Sequence, residues 1–235
     1  MNYWLIRYDN ITTILLVVIG VILVLYAQIK INTTYSKYRR IRNIKGITGR
    51  EVARIILEAN GLSQINIYET NGNLTDHYNP TKKLIKLSSD IYDGTSIAAV
   101  AVAAHECGHA IQDKEDYSFF KIRSLLVPVV NLISYLGYFG LLVSLFAGVT
   151  GYLKLSIVIL FGTALFQLVT LPVELDASKR AKEQLINLGL VNLEEENSIK
   201  KVLSAAAMTY IASLISSILN ILRLVIMLSG RERDD

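Results

Sequence analysis

The sequence predicts a mainly α-helical, multi-pass membrane protein with a small α+β module outside its apolar segments. Of the 235 residues, 52% are hydrophobic and 19% are charged, whereas a soluble domain carries about 25% charged residues. The uncharged residues are gathered into runs of roughly 20, the length that crosses the apolar core of a bilayer. This composition excludes a soluble globular protein, a disordered chain and a disulfide-stapled secreted domain.

The first apolar run predicts a transmembrane helix over residues 10–29. Tyr3, Trp4 and Tyr8 precede it, as aromatic residues do where a span enters the headgroup region. The run is longer than a signal-peptide core, which favours a retained anchor. Six basic residues follow it, at Lys30, Lys37, Arg39, Arg40, Arg42 and Lys45. By the positive-inside rule, they place the N-terminus outside and the next segment in the cytosol, either beside anionic lipid or as a solvated linker.

Residues 48–123 form the predicted cytosolic part of the chain. An amphipathic helix is expected over residues 48–60, and alternating apolar residues predict strands over 65–69 and 83–87. A hydroxyl side chain can cap the start of a second helix, over residues 96–112. The second strand could offer an edge on which an extended substrate pairs.

The second half of the chain predicts two more spans, over residues 124–150 and 154–173, joined as a hairpin. A hairpin returns the chain to the side of the membrane that it left. The helix predicted over residues 174–189 therefore lies on the cytosolic side. A weaker apolar stretch, residues 202–228, could cross as a fourth span or pack against the other helices.

Two of the three histidines occur as His105-Glu106-x-x-His109 on the predicted helix 96–112. Helix positions i and i+4 lie about 40° apart, so both imidazoles can face one ion. Glu106 lies on the flank of that face, where it can reach a metal-bound water. This is the arrangement of zinc peptidases. A catalytic zinc takes three protein ligands and keeps a fourth position for water, so a third ligand has to come from outside the motif.

Four side chains compete for the place of the third ligand: His77, Glu174, Asp176 and Glu183. Glu174 follows the hairpin and is the expected ligand, although it could also be a helix-start acid favoured by the helix dipole. Asp176 lies roughly opposite Glu174 on a helix, so the two are not expected to bind one ion together. His77 precedes a predicted turn. It could make a local hydrogen bond there or donate to a substrate carbonyl.

Three stretches of the chain, in order, resemble the bacterial YugP-like neutral zinc metallopeptidases, a membrane-bound family. They are Asp-His-Tyr-Asn-Pro at 76–80, the segment 96–112 with the two histidines, and Leu-Pro-Val-Glu-Leu-Asp-Ala-Ser at 171–178. More distantly, the layout is similar to the HtpX and CAAX prenyl protease membrane peptidases. Their third-ligand motif is Glu-x-x-Ala-Asp, and here Ser178 replaces the final Asp. The resemblance implies a gluzincin-like zinc peptidase module.

Together these observations predict a membrane-embedded, zinc-dependent endopeptidase in a bacterial cell membrane, with its site facing the cytosol. One catalytic Zn²⁺ is expected on His105, His109 and Glu174. Glu106 is the expected general base, and His77 is a further candidate for catalysis. Protein or peptide substrates are expected at the membrane, beside the lipid bilayer. The net charge of +4 does not indicate a nucleic-acid partner. Two alternatives stay open: an inactive metal-binding scaffold, and a small transporter or channel component.

Overall fold

The computed structural model describes residues 3–147 and 152–231. Its elements, in chain order, are α1 (Tyr3–Tyr38), α2 (Gly49–Ala59), β1 (Asn66–Thr70), β2 (His77–Asn79), β3 (Leu84–Ser88), α3 (Ser89–Tyr92), α4 (Ile97–Lys114), α5 (Ser118–Ala147), α6 (Tyr152–Asn187) and α7 (Leu193–Arg231). The chain divides into two compact units. Unit 1 comprises Met1–Gln28, Arg123–Thr170 and Thr209–Asp235, and unit 2 comprises Ile29–Ile122 and Leu171–Met208.

Unit 1 is built from long apolar helix segments. Within the described residues, three helices are long and apolar enough to cross a membrane: Ile11–Tyr38, Val158–Asn187 and Leu193–Met227. Large apolar side chains on these helices are exposed, such as Ile14 at 62% and Leu168 at 55%. Extended apolar surface of this kind suits contact with lipid. The predicted class, mainly helical with several membrane helices and a small sheet, is confirmed.

The helices continue further than the predicted segments. Residues 154–173 and 174–187 lie in the single helix α6, which passes through Pro172 and ends at Asn187, two residues before the predicted end at 189. Proline removes one backbone N–H from a helix, but the helix does not end there. The polar residues before 202 also belong to a helix, because α7 begins at Leu193. The predicted span 124–150 falls on α5 as far as Ala147, and residues 148–150 lie outside the described residues.

Unit 2 packs a three-stranded sheet against short helices. The strand order is β1-β3-β2, with β1 parallel to β3 and β2 antiparallel to it. Apolar side chains from the sheet and the helices form one buried core, which includes Val52, Ile56, Ile85, Leu87, Val100 and Leu185. At the start of α2, Thr48 and Glu51 form a capping box that satisfies two otherwise unpaired N–H groups.

The sheet agrees with one expectation about this region and corrects another. A turn does follow Asn79, at residues 80–83, but the strand β2 just before it was not predicted, because it has three residues and is defined by its pairing with the distant β3. The strand predicted over 83–87 was expected to offer a free edge. It is the central strand, paired on one side with β1 and on the other with β2, so that expectation is wrong.

The helix α4 passes through the centre of unit 2, and Gly108 determines how closely α6 can approach it. A Cβ atom at Gly108 would lie 2.5 Å from the carbonyl oxygen of Ala177, which is too close for any side chain without a shift of the backbone. At its start, α4 is capped by Ser96, whose side-chain oxygen accepts a hydrogen bond from the N–H of Ala99 at 3.1 Å. The backbones of α4 and α6 are therefore in direct contact at the residue before His109, about one turn after His105.

Candidate metal centre

The two histidines of α4 and one carboxylate of α6 lie where these helices touch. His105 and His109 are four positions apart, and their ring centroids are 4.7 Å apart. Glu174 lies on α6, about one turn before Ala177, which contacts Gly108. The close helix contact therefore brings the carboxylate of Glu174 to the two imidazoles.

The donor atoms of these three side chains converge on one point. Oε2 of Glu174 lies 3.1 Å from Nε2 of His105 and 3.7 Å from Nε2 of His109. Ligand atoms from all three residues lie within 4.8 Å of one another. For bonds of about 2.0–2.1 Å, neighbouring ligands of a tetrahedral zinc are roughly 3.3 Å apart, a value between these two distances. Two imidazoles and one carboxylate are also a known ligand set of catalytic zinc, so the residues present fit this ion.

Burial strengthens the case for a cation at this point. Glu174 is 2% exposed and His109 is 6% exposed. A carboxylate taken out of water is costly unless positive charge or hydrogen-bond donors compensate for it. The side chain of His105 is more accessible, at 16%. The centre is therefore largely enclosed, with its more open side at His105.

Gln112 determines which nitrogen of His109 carries the proton. The amide nitrogen of Gln112 donates to the carbonyl oxygen of Val173 and to Oδ2 of Asp176, both at 2.8 Å. Because both partners accept, the other end of the amide is its oxygen, which lies 3.0 Å from Nδ1 of His109. His109 therefore donates from Nδ1 and directs the lone pair of Nε2 towards Glu174.

Asp176 belongs to the same network but not to the group of side chains whose donor atoms converge. Its carboxylate forms an ion pair with Arg180, and the guanidinium of Arg180 also pairs with Glu115 at 2.6 Å. The sequence suggested that Asp176 points away from Glu174, and it does contact other groups. It acts on His109 through Gln112, so this ion-pair network links α4 to α6 behind the centre.

Ser178 lies behind the other histidine. Its Oγ is 3.2 Å from Nδ1 of His105. This neutral hydroxyl can accept a hydrogen bond from the Nδ1–H of His105.

Glu106 is held beside the centre by the strand β2. Its Oε2 accepts a hydrogen bond from the N–H of Tyr78 at 2.8 Å, and the residue is 7% exposed. Nearby, Asp76 accepts hydrogen bonds from the N–H and the hydroxyl of Ser88. Burial raises the pKa of Asp76, and the negative charge of Glu106 acts in the same direction, while the bonds from Ser88 oppose it.

The remaining candidates lie outside this group. His77 is exposed on β2, with Nδ1 2.8 Å from the carbonyl oxygen of Thr75. Glu183 pairs with Lys179 on the exposed face of α6. Among the described residues, the set that could hold a metal ion consists of His105, His109 and Glu174. A role of His77 in catalysis stays a prediction.

Of the groups that orient the site, the sequence singled out only Ser178, by its place in the third-ligand motif; its contact with His105, the amide of Gln112 and the N–H of Tyr78 were not predicted. Gln112 did carry a signal, because it lies three positions after His109 and therefore next to it on a helix. The contact of Ser178 depends on how α6 crosses α4, and no local pattern encodes that crossing. The contact of Tyr78 with Glu106 uses a backbone N–H, which every residue except proline has, so residue identity could not indicate it.

Comparisons with known proteins agree with this centre. The family described as "Putative neutral zinc metallopeptidase" matches residues 13–229. "Putative membrane protease YugP" of Bacillus subtilis (strain 168) is 41% identical over 210 residues, which are 89% of this chain and 93% of the relative. No solved structure matches the chain. Since the family match covers most of the sequence, the chain belongs to the neutral zinc metallopeptidase family that its motifs resemble.

Proposed function

We propose that this protein is a membrane endopeptidase that uses one zinc ion to hydrolyse peptide bonds in proteins at the membrane. Membership of a zinc metallopeptidase family and similarity to a membrane protease support a peptidase in general. The observation that carries the finer proposal is the convergence of His105, His109 and Glu174 beside the buried carboxylate of Glu106.

In this proposal, His105, His109 and Glu174 hold the ion. A zinc ion held by these residues would supply Lewis-acid chemistry, polarising the scissile carbonyl and lowering the pKa of a water molecule. Gln112 and Ser178 keep the two imidazole rings in place by contacting their Nδ1 atoms. The protein thus orients its ligands before a substrate binds, which avoids reorganisation during the reaction.

Glu106 performs the proton transfers. The N–H of Tyr78 fixes Oε2 of Glu106, so the carboxylate is positioned rather than free to rotate. It accepts a proton from the attacking water and then delivers it to the leaving amine. The strand beside Glu106 is β2, which lies at the edge of the sheet, whereas β3 is enclosed between β1 and β2. An extended substrate would therefore pair along β2 and not along β3.

The place of the centre in the sequence supports substrates close to the bilayer. Glu174 belongs to α6, and this helix also contains the candidate membrane span that begins at Val158. Only three residues separate Glu174 from Thr170, the last residue of that segment of unit 1. Membrane proteins, or segments presented beside the membrane, are therefore the proposed substrates.

The experiment that tests this function compares membranes containing the wild-type protein or Glu106→Gln. The amide cannot accept the water proton, so Glu106→Gln should keep one zinc per chain but leave membrane proteins uncleaved that the wild type cleaves. Quantitative proteomics of the two membranes measures this difference and names the substrates.

Glu183→Gln is the matched control, because it makes the same change at an exposed position, and it should cleave like the wild type. Cleavage by Glu106→Gln at the wild-type rate with full zinc would refute the role of Glu106. If the wild type binds zinc but its membranes have the same protein composition as those with Glu106→Gln, the result would instead support the inactive scaffold.

A further inference from the structure

A groove between α1 and α7 lies within unit 2, and its lining residues differ from those of the metal centre. It encloses about 730 Å³, within the range of roughly 300–1,000 Å³ that is typical of small-molecule sites. One face of each helix lines it. The charged groups are Lys30 and Lys37 from α1 and Lys200 and Lys201 from α7.

The charge in this groove is unbalanced. The described residues that line it include four lysines and no carboxylate. None of these four lysines forms an ion pair within the described part of the chain, whereas Lys83 pairs with Asp113 and Lys182 pairs with Glu196 in the same unit. Like charges that face one cleft repel each other, and a bound anion would relieve that repulsion.

The other polar groups in the groove suit phosphate oxygens. Thr34 and Ser204 add hydroxyl groups, and Asn197 adds a side-chain amide. Phosphate is an acceptor, and ammonium, hydroxyl and amide N–H groups are all donors to it. The lining therefore matches a phosphate group better than a neutral polar ligand.

The lining changes from polar to apolar along α7. Asn197, Lys200 and Lys201 come first, and Ala205 and Met208 follow one to two turns later. The charged end alone would serve a soluble phosphate or an acidic peptide. A ligand with a phosphate at one end and an apolar chain at the other uses the whole groove.

We propose that this groove binds the head group of an anionic phospholipid. The phosphate lies among the four lysines, and the start of the acyl chains lies beside Ala205 and Met208. This matches the positions of the lysines in the sequence, since Lys30 directly follows the first uncharged run and Lys201 directly precedes the last one. Basic residues at the ends of membrane spans are well placed to meet anionic head groups.

The test is calorimetric titration of the full-length protein in detergent. Three probes are compared: dihexanoylphosphatidylglycerol, dihexanoylphosphatidylcholine and glycerol 3-phosphate. The anionic lipid should bind saturably and at least roughly tenfold more tightly than either of the others, because only it has both the net negative charge and the apolar chains.

Variants decide whether the groove itself is the site. The pair Lys200→Gln/Lys201→Gln should weaken binding of the anionic lipid by about tenfold or more, and so should Lys30→Gln/Lys37→Gln on the other helix. Because the two pairs lie on different helices, a folding defect in one pair leaves the other to test the groove. The control pair Arg40→Gln/Lys45→Gln removes the same charge from exposed positions outside the groove and should change the affinity by less than about twofold.

Three results would overturn the proposal. An equal loss of affinity in the control pair would mean diffuse attraction to a basic surface. Equal binding of the zwitterionic lipid would mean an apolar groove without a phosphate site. Glycerol 3-phosphate that binds as tightly as the anionic lipid would assign the groove to a soluble phosphate.

Discussion

The two histidines of the metal centre are supported by neutral groups, an amide behind His109 and a hydroxyl behind His105. Many zinc-binding histidines instead donate to a carboxylate, which makes the imidazole more basic. Here the carboxylate of Asp176 is one step further away and is neutralised by Arg180. Glu174 is then the one anionic ligand of the proposed set, so a bound Zn²⁺ keeps a net positive charge and stays a strong Lewis acid.

It follows that Glu174 is the residue on which metal binding depends most. Glu174→Ala should lower zinc affinity by roughly a hundredfold or more, because it removes a ligand and leaves the two histidines of the centre without this anionic partner. His77→Ala and Asp176→Ala should keep the ion. The measurement is zinc per chain after mild chelation of the purified proteins.

Glu183→Ala, an exposed carboxylate on the same helix, is the control for this series and should match the wild type. If Glu174→Ala held zinc normally while His77→Ala lost it, the third ligand would be assigned to the wrong residue. If only Asp176→Ala lost zinc, the orientation of His109 by Asp176 through Gln112 would matter more for metal binding than the charge of Glu174.

The contact between α4 and α6 is what assembles the centre from distant parts of the chain. The histidines and Glu174 are separated by a long intervening segment, which includes the helix α5. Gly108 permits the contact, because its missing side chain leaves space for the carbonyl of Ala177. A glycine within a helix costs about 1 kcal/mol relative to alanine, so its presence here is explained by packing rather than by helix propensity.

Gly108→Ala should therefore push the two helices apart and weaken zinc binding by at least about tenfold, with a loss of about 1–3 kcal/mol in stability from overpacking. Gly162→Ala on α6 is a matched control, because a Cβ at Gly162 meets nothing within 4 Å, and it should be neutral or slightly stabilising. Zinc affinity and thermal unfolding of both variants measure the difference. Indistinguishable behaviour of the two alanine variants would refute the importance of the close contact.

The helices could be predicted from the sequence because their signals are local. The apolar runs, the cap at Ser96 and the spacing of His105 and His109 each lie within one element. The sheet order could not, since β2 has only three residues and is defined by its partner β3. The proposed ligands His105, His109 and Glu174 could be found because each lies in a local motif. The contact of Ser178 with His105 could not, because it depends on how two helices cross, which the spacing of residues does not encode.

The order of segments in the whole chain constrains how it crosses the membrane. Unit 2 is formed by Ile29–Ile122 and Leu171–Met208. Because these two segments pack into one compact unit, we expect them to lie on the same side of the bilayer. The intervening residues 123–170 are then expected to return to the side that they left, as the predicted hairpin does. Which side this is depends on the charges that flank the spans.

We expect unit 2 to lie in the cytosol, because six basic residues follow the first span. A cysteine at the exposed position Ser89 should therefore resist a membrane-impermeant thiol reagent in intact cells and react after lysis. The unmodified chain measures the background, which should be low: Cys107 is buried, and burial raises the pKa of its thiol, so little reactive thiolate is present. Asn2→Cys, on the predicted outer side, should react in intact cells. If the reagent labels Ser89→Cys but not Asn2→Cys before lysis, the orientation is the reverse, and the metal centre faces the outside of the cell.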